Sequence, residues 1–220
     1  LERSDGLSNL IFTSIGPIAY RVSVSQLAEQ KFISIPTINI IDTEFSSQYI
    51  SYKLLIDSLI SNNNRNKLII KYLRKHTDQF NLILSNRISH LENLAKLYSR
   101  YSSDYSVVVG AVKRDERDRI VQKMRDKKLH TIFATQLADE GLDIPNLDNL
   151  YLAYPTKALG AIEQRIGRIQ RYGEDKRPIV YDFADIWVNK FSSFSNKRIS
   201  LYNNLGLKIK SDRRMVKFGH

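Results

Sequence analysis

Three polar residues with helical spacing follow the apolar segment 150–154. Gln164, Arg168 and Arg171 are four and three residues apart, so on a helix they share one face. Two guanidinium groups and an amide on one face suit the negative charge of a transferring phosphoryl group. The simpler alternative is that the arginines only pair with surface carboxylates. The spacing Q-x-x-G-R-x-x-R after a strand and loop favours phosphate chemistry, and Gly167 would let the helix approach a neighbour closely.

A second polar set follows the apolar segment 131–134. Thr135 ends that segment, where its hydroxyl and the freed backbone amides could bind a nucleic-acid phosphate. Gly141 and Asp143 fall in a tight loop, where the carboxylate could accept a hydrogen bond from a ribose hydroxyl; the alternative is a turn aspartate that caps its own backbone. The nearby pair Asp139-Glu140 lies several residues past the strand end. In nucleotide hydrolases, the carboxylate pair that holds magnesium directly follows a strand. We therefore do not assign Asp139-Glu140 as a magnesium site.

Short apolar segments alternate with helical patterns through the centre of the chain. The strand candidates are 81–84, 105–109, 131–134, 150–154 and 178–183, and the helix candidates between them are 87–100, 115–127 and 161–171. Continuous apolar strands separated by helices predict an α/β fold, with a mainly parallel central sheet flanked by helices. Ligands of such sheets bind beyond the carboxyl ends of the strands. Those ends are predicted at Ser85, Gly110, Thr135 and 154–156.

The flanking regions are less regular. Two helices are predicted over 49–60 and 67–76, with the asparagine run 62–64 as the break between them. Residues 32–41 are apolar and β-branched but contain Pro36, which predicts an extended edge or crossing segment. After residue 185 we predict a closing helix over 186–206. The basic tail 208–220 is predicted to be frayed or to act as a phosphate-attracting arm.

Composition limits the function classes. The chain has 220 residues, a formal net charge of +11 and no cysteine, so disulfides and thiolate metal sites are excluded. The four histidines show no ligand spacing, so no metal site is assigned. No apolar run reaches the roughly 20 residues of a membrane span, and no membrane partner is expected. The basic balance favours a polyanionic partner, either a nucleic acid or an acidic protein.

The motifs together resemble the second RecA-like domain of a superfamily 2 helicase or translocase. ATQLADEGLDIP at 134–145 resembles motif V of that family, QRIGRIQR at 164–171 resembles motif VI, and LILSNR at 82–87 resembles motif IV. Residues 3–6 resemble the segment after motif III in the subgroup of xeroderma-type, type III restriction and phage or viral DNA helicases. PTKAL at 155–159 supports that subgroup, with Ala158 in place of the usual serine.

The resemblance implies a role for each motif. Arg168 and Arg171 would be arginine fingers on the γ-phosphate of ATP, and Gln164 would contact the γ-phosphate or the attacking water. In motif V, Gly141 and Asp143 would form the site for the ATP ribose. Four residues would lie along the nucleic-acid backbone, with little sequence preference: Ser85, Arg87, Gly110 and Thr135.

The implied cofactor is ATP with Mg²⁺. The sequence contains no G-x-x-x-x-G-K-[ST] phosphate loop and no strand that ends in a D-E pair. We therefore expect the N-terminal RecA-like domain of the same protein to supply the Mg²⁺ ligands, and the chain alone to hydrolyse ATP feebly or not at all. The predicted division is 1–41 as a link from that first motor domain, 42–185 as the RecA-like helicase C-terminal domain, and 186–220 as a C-terminal helix and basic tail.

The sequence leaves alternatives for the type of nucleic acid and for the functional class. DNA is the favoured partner and RNA the alternative, and the expected location is intracellular: cytoplasmic or nuclear, or a virion or viral factory for a viral source. The rival function is a RecA-like module that binds nucleic acid without catalysis. The sequence upstream of Leu1 would distinguish the two. A nuclease has little support because no carboxylate cluster has metal-site spacing.

Overall fold

The computed structural model describes residues 24–49, 51–135, 147–173 and 176–211, together with Thr13, Ser14, Gly16, Tyr20, Val22 and Ile144. Its strands are β1 Thr37–Asp42, β2 Asn81–Ser85, β3 Tyr105–Val108, β4 Thr131–Thr135, β5 Asn149–Leu152, β6 Ile179–Ala184 and β7 Lys208–Ser211. They form one sheet in the order β3-β4-β2-β5-β6-β1-β7, and each neighbouring pair is parallel. The carboxyl ends of all the described strands therefore lie along one edge.

Helices cover both faces of this sheet. They are α1 Val24–Glu29, α2 Tyr52–Ser61, α3 Asn63–Leu73, α4 Ile88–Tyr98, α5 Arg114–Arg125, α6 Leu159–Ile169 and α7 Asn189–Asn204, and a short 3₁₀ turn spans Arg74–His76. The predicted α/β fold, with three layers around a parallel sheet, is confirmed. None of the described helices is long and apolar enough to cross a membrane.

Strand side chains alternate between two buried faces. On β4, Ile132 and Ala134 pack with α5, α6 and α7, whereas Phe133 packs with α3 and α4 on the opposite face. Both faces exclude water over the central strands β2, β4 and β5, whose residues are all buried. A third cluster lies beyond the carboxyl edge and joins α2, α7 and the end of β5. Its members are Phe45, Leu55, Ile56, Leu59, Ile60, Tyr154, Val188 and Phe191.

Two strands differ from the sequence-based predictions. The segment 32–41 was predicted as an edge or crossing element, but β1 lies inside the sheet between β6 and β7. Pro36 directly precedes β1, so its missing amide removes no hydrogen bond from the strand ladder. The predicted boundary at residue 41 falls inside β1. The tail was predicted to fray from residue 208, but Lys208–Ser211 forms β7 on β1, while residues 212–220 lie outside the described residues.

The asparagine run acts as a helix start. Asn62 ends α2 and its side-chain oxygen accepts the backbone amide of Arg65 at 2.9 Å, which caps α3. The second helix therefore begins at Asn63, four residues before the predicted start at 67. This shift matters because it brings Arg65 and Asn66 onto the buried face of α3.

Candidate nucleotide and nucleic-acid site

Helix α6 combines an apolar base with a polar outer face. Ile162, Ile166 and Ile169 are almost completely buried against the sheet. Gln164 is exposed and Arg168 is half-buried, and because they are four residues apart they share the outward face. Arg165 is buried with the isoleucines and was not identified from the sequence. Its spacing of three residues from Ile162 places it on the buried side of the helix, and this spacing could have identified it from the sequence.

Arg171 lies beyond the end of α6. The helix was predicted to reach residue 171, but it ends at Ile169, and Arg171 forms an isolated antiparallel bridge with Ile33. Ser34 secures the same junction, since its backbone amide donates to the carbonyl of Gln170 at 2.8 Å. The segment before β1 therefore positions Arg171, whereas α6 positions Gln164 and Arg168.

The surroundings of Arg171 are basic. Lys176 Nζ donates to the Arg171 carbonyl at 3.0 Å. Burial lowers the pKa of Lys176, and the nearby Arg171 lowers it further against the opposing effect of Asp148. This concentration of positive charge suits an anionic ligand.

Gly167 lies on the open face of α6. It was predicted to let the helix pack closely on a neighbour, but a Cβ atom added there would meet nothing within 4 Å. Glycine inside a helix costs roughly 1 kcal/mol relative to alanine, and no packing contact among the described residues offsets this cost. The close-packing prediction is therefore wrong within this part of the chain.

Thr135 and Ser85 lie side by side at the carboxyl edge. They are register partners at the ends of β4 and β2. Thr135 is 9% exposed, and its buried hydroxyl oxygen has no hydrogen-bond partner among the described residues. An unpaired buried hydroxyl costs on the order of 1–3 kcal/mol, so this position is polar despite an energetic penalty.

The Ser85 hydroxyl belongs to a buried network. It lies 2.9 Å from His90 Nδ1, and His90 Nε2 lies 3.0 Å from the side-chain oxygen of Asn66. Because an amide oxygen only accepts, Nε2 carries the proton and Nδ1 accepts from Ser85. Burial lowers the pKa of His90 well below its usual value, and Arg65 lowers it further, so the ring is neutral. The Ser85 side chain thus positions the strand end, and its oxygen also accepts the amide of Arg87 at 3.2 Å.

Arg87 is exposed directly beyond this network. Its side chain lies beside Tyr154, which follows β5, and it opposes the rise in the Tyr154 pKa that burial causes. Arg87 is therefore placed at the carboxyl edge with its charge accessible, as a phosphate contact requires.

Gly110 is exposed two residues past the end of β3. Arg117 on α5 holds this loop, because its guanidinium donates to the Gly110 carbonyl at 2.7 Å and to the Val112 carbonyl at 2.9 Å. These bonds fix the loop, and a Cβ atom added to Gly110 would meet nothing within 4 Å. Arg117 was not identified from the sequence, where this segment was predicted as a charged helix with Ile120, Val121 and Met124 inward.

Two buried arginine–aspartate pairs fix the loop between β5 and α6. Arg65 contacts Asp185 at 2.7 and 3.1 Å and donates to the Ala153 carbonyl at 2.8 Å. Arg198 contacts Asp182 at 2.8 and 2.7 Å and donates to the Thr156 carbonyl at 3.2 Å. All four charged side chains are at most 2% exposed. These pairs hold the loop backbone at Ala153 and Thr156, before α6 begins at Leu159, and sequence reasoning missed them.

The sequence-predicted residues separate into two surfaces. Ser85, Arg87, Gly110 and Thr135 lie along the carboxyl edge of neighbouring strands. Arg171 instead contacts Ile33, which precedes β1 and so belongs to the amino-terminal side of the sheet. Gly141 and Asp143 lie outside the described residues. In the described part of the chain, no group of three or more His, Asp or Glu side chains is placed to hold a metal ion.

A comparison with protein-family models assigns half of the chain to a known family. Residues 64–173 match the family model of the helicase conserved C-terminal domain. The chain belongs to this helicase family. The match contains both surfaces, from the network at Asn66 through α6 to Arg171, and it supports the predicted membership of superfamily 2.

Related proteins point in the same direction. "Putative helicase 22" of Sulfolobus islandicus filamentous virus is 28% identical over 194 residues, covering 80% of this chain and 34% of the viral protein. "DNA 3'-5' translocase XPB2" of Sulfurisphaera tokodaii is 26% identical over 226 residues, covering 83% of this chain and 50% of the translocase. The helicase domain described here therefore spans half or less of the length of these relatives.

A solved structure supports the fold. The fragment structure of a putative HsdR subunit of a type I restriction enzyme from Vibrio vulnificus superposes with a TM-score of 0.70 at 16% identity. The similarity covers 96% of this chain and 42% of that one. At this identity the similarity supports the α/β fold, while the helicase family itself is shown by the match of residues 64–173.

Proposed function

We propose that this chain is the second motor domain of an ATP-dependent helicase or translocase. In this role Arg168 and Arg171 contact the γ-phosphate of ATP, and Gln164 contacts the γ-phosphate or the attacking water. The observation that carries the proposal is helix α6, whose buried isoleucines hold Gln164 and Arg168 outward on a rigid base. The first motor domain supplies the phosphate loop and the Mg²⁺ ligands.

The chemistry follows from charge. Phosphoryl transfer spreads negative charge over the γ-phosphate oxygens in the transition state, and a fixed guanidinium stabilises that charge without reorganising. Arg168 emerges from the last turn of α6 and Arg171 from the bridge to Ile33, so the two cations are held by separate elements. Gly167 lies directly before Arg168 and leaves open space on the outer face of α6, which the bound nucleotide occupies in this proposal. Gly141 and Asp143 are proposed to contact the ATP ribose.

The carboxyl edge is proposed to bind the nucleic-acid backbone. Arg87 supplies an exposed charge, Thr135 a hydroxyl with no described partner, and Gly110 an open backbone position. Ser85 acts mainly through the backbone, because its hydroxyl already bonds to His90. The relatives include a DNA translocase and an RNA helicase, so DNA is proposed on the resemblance of the motifs to those of DNA helicases. Such contacts are independent of sequence and weaken with salt.

Arginine substitutions test the proposal in the full-length protein that carries this chain. Arg168→Ala and Arg171→Ala should each lower ATP turnover by about 10³-fold or more, while nucleic-acid affinity stays within about twofold. Arg100→Ala, at an exposed arginine beyond α4, is the matched control and should leave turnover unchanged.

Two results would contradict this assignment. Wild-type turnover in both variants would exclude the arginine-finger role. Tight nucleic-acid binding without any ATP turnover in the wild-type protein would instead support a non-catalytic RecA-like module.

A further inference from the structure

The carboxyl edge continues beyond the proposed backbone contacts. Thr135 ends β4, and Gly110 and Arg87 each lie two residues past the ends of β3 and β2; these three strands are consecutive in the sheet. The next strands in the same order are β5, β6 and β1. Each of these leads into an aromatic residue: Tyr154 two residues past β5, Trp187 three residues past β6, and Tyr52 at the start of α2 after β1. At about 4.8 Å per strand, the six strands span roughly 24 Å of edge.

Direct contacts join the two halves of this edge. Arg87 lies beside the buried Tyr154, and Tyr154 lies beside Tyr52. Burial raises the pKa of Tyr154 to about 12, and Tyr52 contributes to the rise while Arg87 opposes it. The Lys190 ammonium then lies 4.4 Å from the centroid of the Tyr52 ring. From the proposed phosphate contact outward, the order is therefore a cation, two aromatic rings and a second cation.

The underlying structure is rigid. Tyr154, Val188 and Phe191 belong to the third hydrophobic cluster, together with the buried side of α2. Val188 adjoins Trp187, and Phe191 adjoins Lys190, so the exposed residues are anchored by buried neighbours. Tyr52 is nevertheless 39% exposed and Trp187 60% exposed. Large rings held at the surface by a packed base are suited to binding flat apolar groups.

We propose that Tyr52 and Trp187 form a base-stacking surface for single-stranded nucleic acid, with Arg87 and Lys190 as adjacent phosphate contacts. The proposal rests on the proposed function, which brings a nucleic-acid strand to this edge, and it adds two named side chains that contact the bases rather than the backbone. Aromatic stacking tolerates any base sequence because every base has a π-face. It is therefore compatible with the sequence-independent backbone contacts beside it.

The test compares oligonucleotides with and without bases. A deoxythymidine oligonucleotide of about 20 nucleotides and an abasic strand of equal length present the same phosphates, but only the first can stack. Tyr52→Ala and Trp187→Ala in the 220-residue chain should each weaken binding to the thymidine strand by roughly five- to 150-fold. Binding to the abasic strand should not change. Phenylalanine at either position should retain most of the affinity.

A matched control lies at the opposite edge of the sheet. Tyr101 precedes β3, is 55% exposed and has the Arg74 guanidinium 5.5 Å from its ring centroid. Tyr101→Ala removes the same kind of pair and should leave both affinities unchanged. A uridine oligonucleotide in parallel measures whether the surface binds RNA as well as DNA.

Trp187 also provides a direct signal, because it is the single tryptophan of the chain. Its fluorescence should be quenched by the thymidine strand and not by the abasic strand. Equal losses of affinity for both strands, or no base-dependent quenching, would overturn the proposal and assign the aromatic edge to a protein contact. The result is separable from the ATPase test, since Arg168→Ala leaves this edge intact and the Tyr52 and Trp187 variants leave α6 intact.

Discussion

Removing Arg198 should destabilise the chain far more than removing a surface cation. Arg198 on α7 is 2% exposed and makes two short contacts with Asp182 on β6. In Arg198→Leu the Asp182 carboxylate stays buried, and the Tyr202 hydroxyl at 2.8 Å is the remaining bond that the structure describes for it. A buried charge left with one neutral donor is strongly disfavoured.

The size of the expected loss of stability follows from the burial of both Arg198 and Asp182. Breaking a buried pair by removing one member costs about 3–5 kcal/mol. The variant also loses the bonds to the Thr156 carbonyl and the Ser195 hydroxyl, which places the expected loss toward the upper end. For a domain of this size, that loss lowers the melting temperature by roughly 6–20 °C.

A double-mutant cycle, with stability measured by urea unfolding, gives the interaction energy between Arg198 and Asp182. Arg198→Leu and Asp182→Asn are measured singly and together, and their coupling should reach about 2 kcal/mol or more. Lys128→Ala is the control, because Lys128 lies 3.8 Å from Asp126 and both side chains are exposed; its cost should stay below about 1 kcal/mol. The argument from burial would be refuted if the two single substitutions lowered the free energy of unfolding additively, or if Arg198→Leu lowered it only slightly.

Two further predictions concern the carboxyl edge. Because burial lowers the pKa of His90, the unfolded chain takes up a proton before the folded chain does as the pH falls below about 6.5. The free energy of unfolding should therefore fall in this range by up to about 1.4 kcal/mol per pH unit. In urea titrations His90→Gln should lose this part of the pH dependence of stability, and an unchanged pH dependence would contradict the prediction. Thr135→Val removes the hydroxyl without a described partner and should raise the free energy of unfolding by about 1 kcal/mol while weakening oligonucleotide binding; a loss of stability would show that the hydroxyl is paired.

Local patterns predicted the elements that local packing determines. Ile162, Ile166 and Ile169 have helical spacing because one side of α6 faces the sheet, and that spacing predicted the helix. The spacing did not predict its end at Ile169, because the bridge between Arg171 and Ile33 comes from a distant segment. Similarly, β1 and β7 pair across almost the whole chain. Four residues of the sequence KIKS carry too little apolar character to indicate a strand.

The buried charges were missed for a different reason. Charged residues are rarely buried unless paired, so single arginines in helices are interpreted as surface residues. Arg198 did carry a signal, since it shares a helical face with Phe191 and Tyr202 at spacings of seven and four. Asp182 lies within an apolar strand, which also indicated a buried carboxylate in need of a cation.

The buried pairs bear directly on how a motor domain of this kind would move. The loop from β5 to α6 is held at Ala153 by Arg65 and at Thr156 by Arg198, and each arginine is itself fixed by a β6-linked carboxylate. Displacing this loop relative to β6 would break a buried charged contact at a cost of several kcal/mol. The same Arg65 neighbours Asn66, which belongs to the network behind Arg87. Under the proposed function, the arginine face and the nucleic-acid edge therefore move together as one rigid body, and ATP-driven motion takes place between the domains.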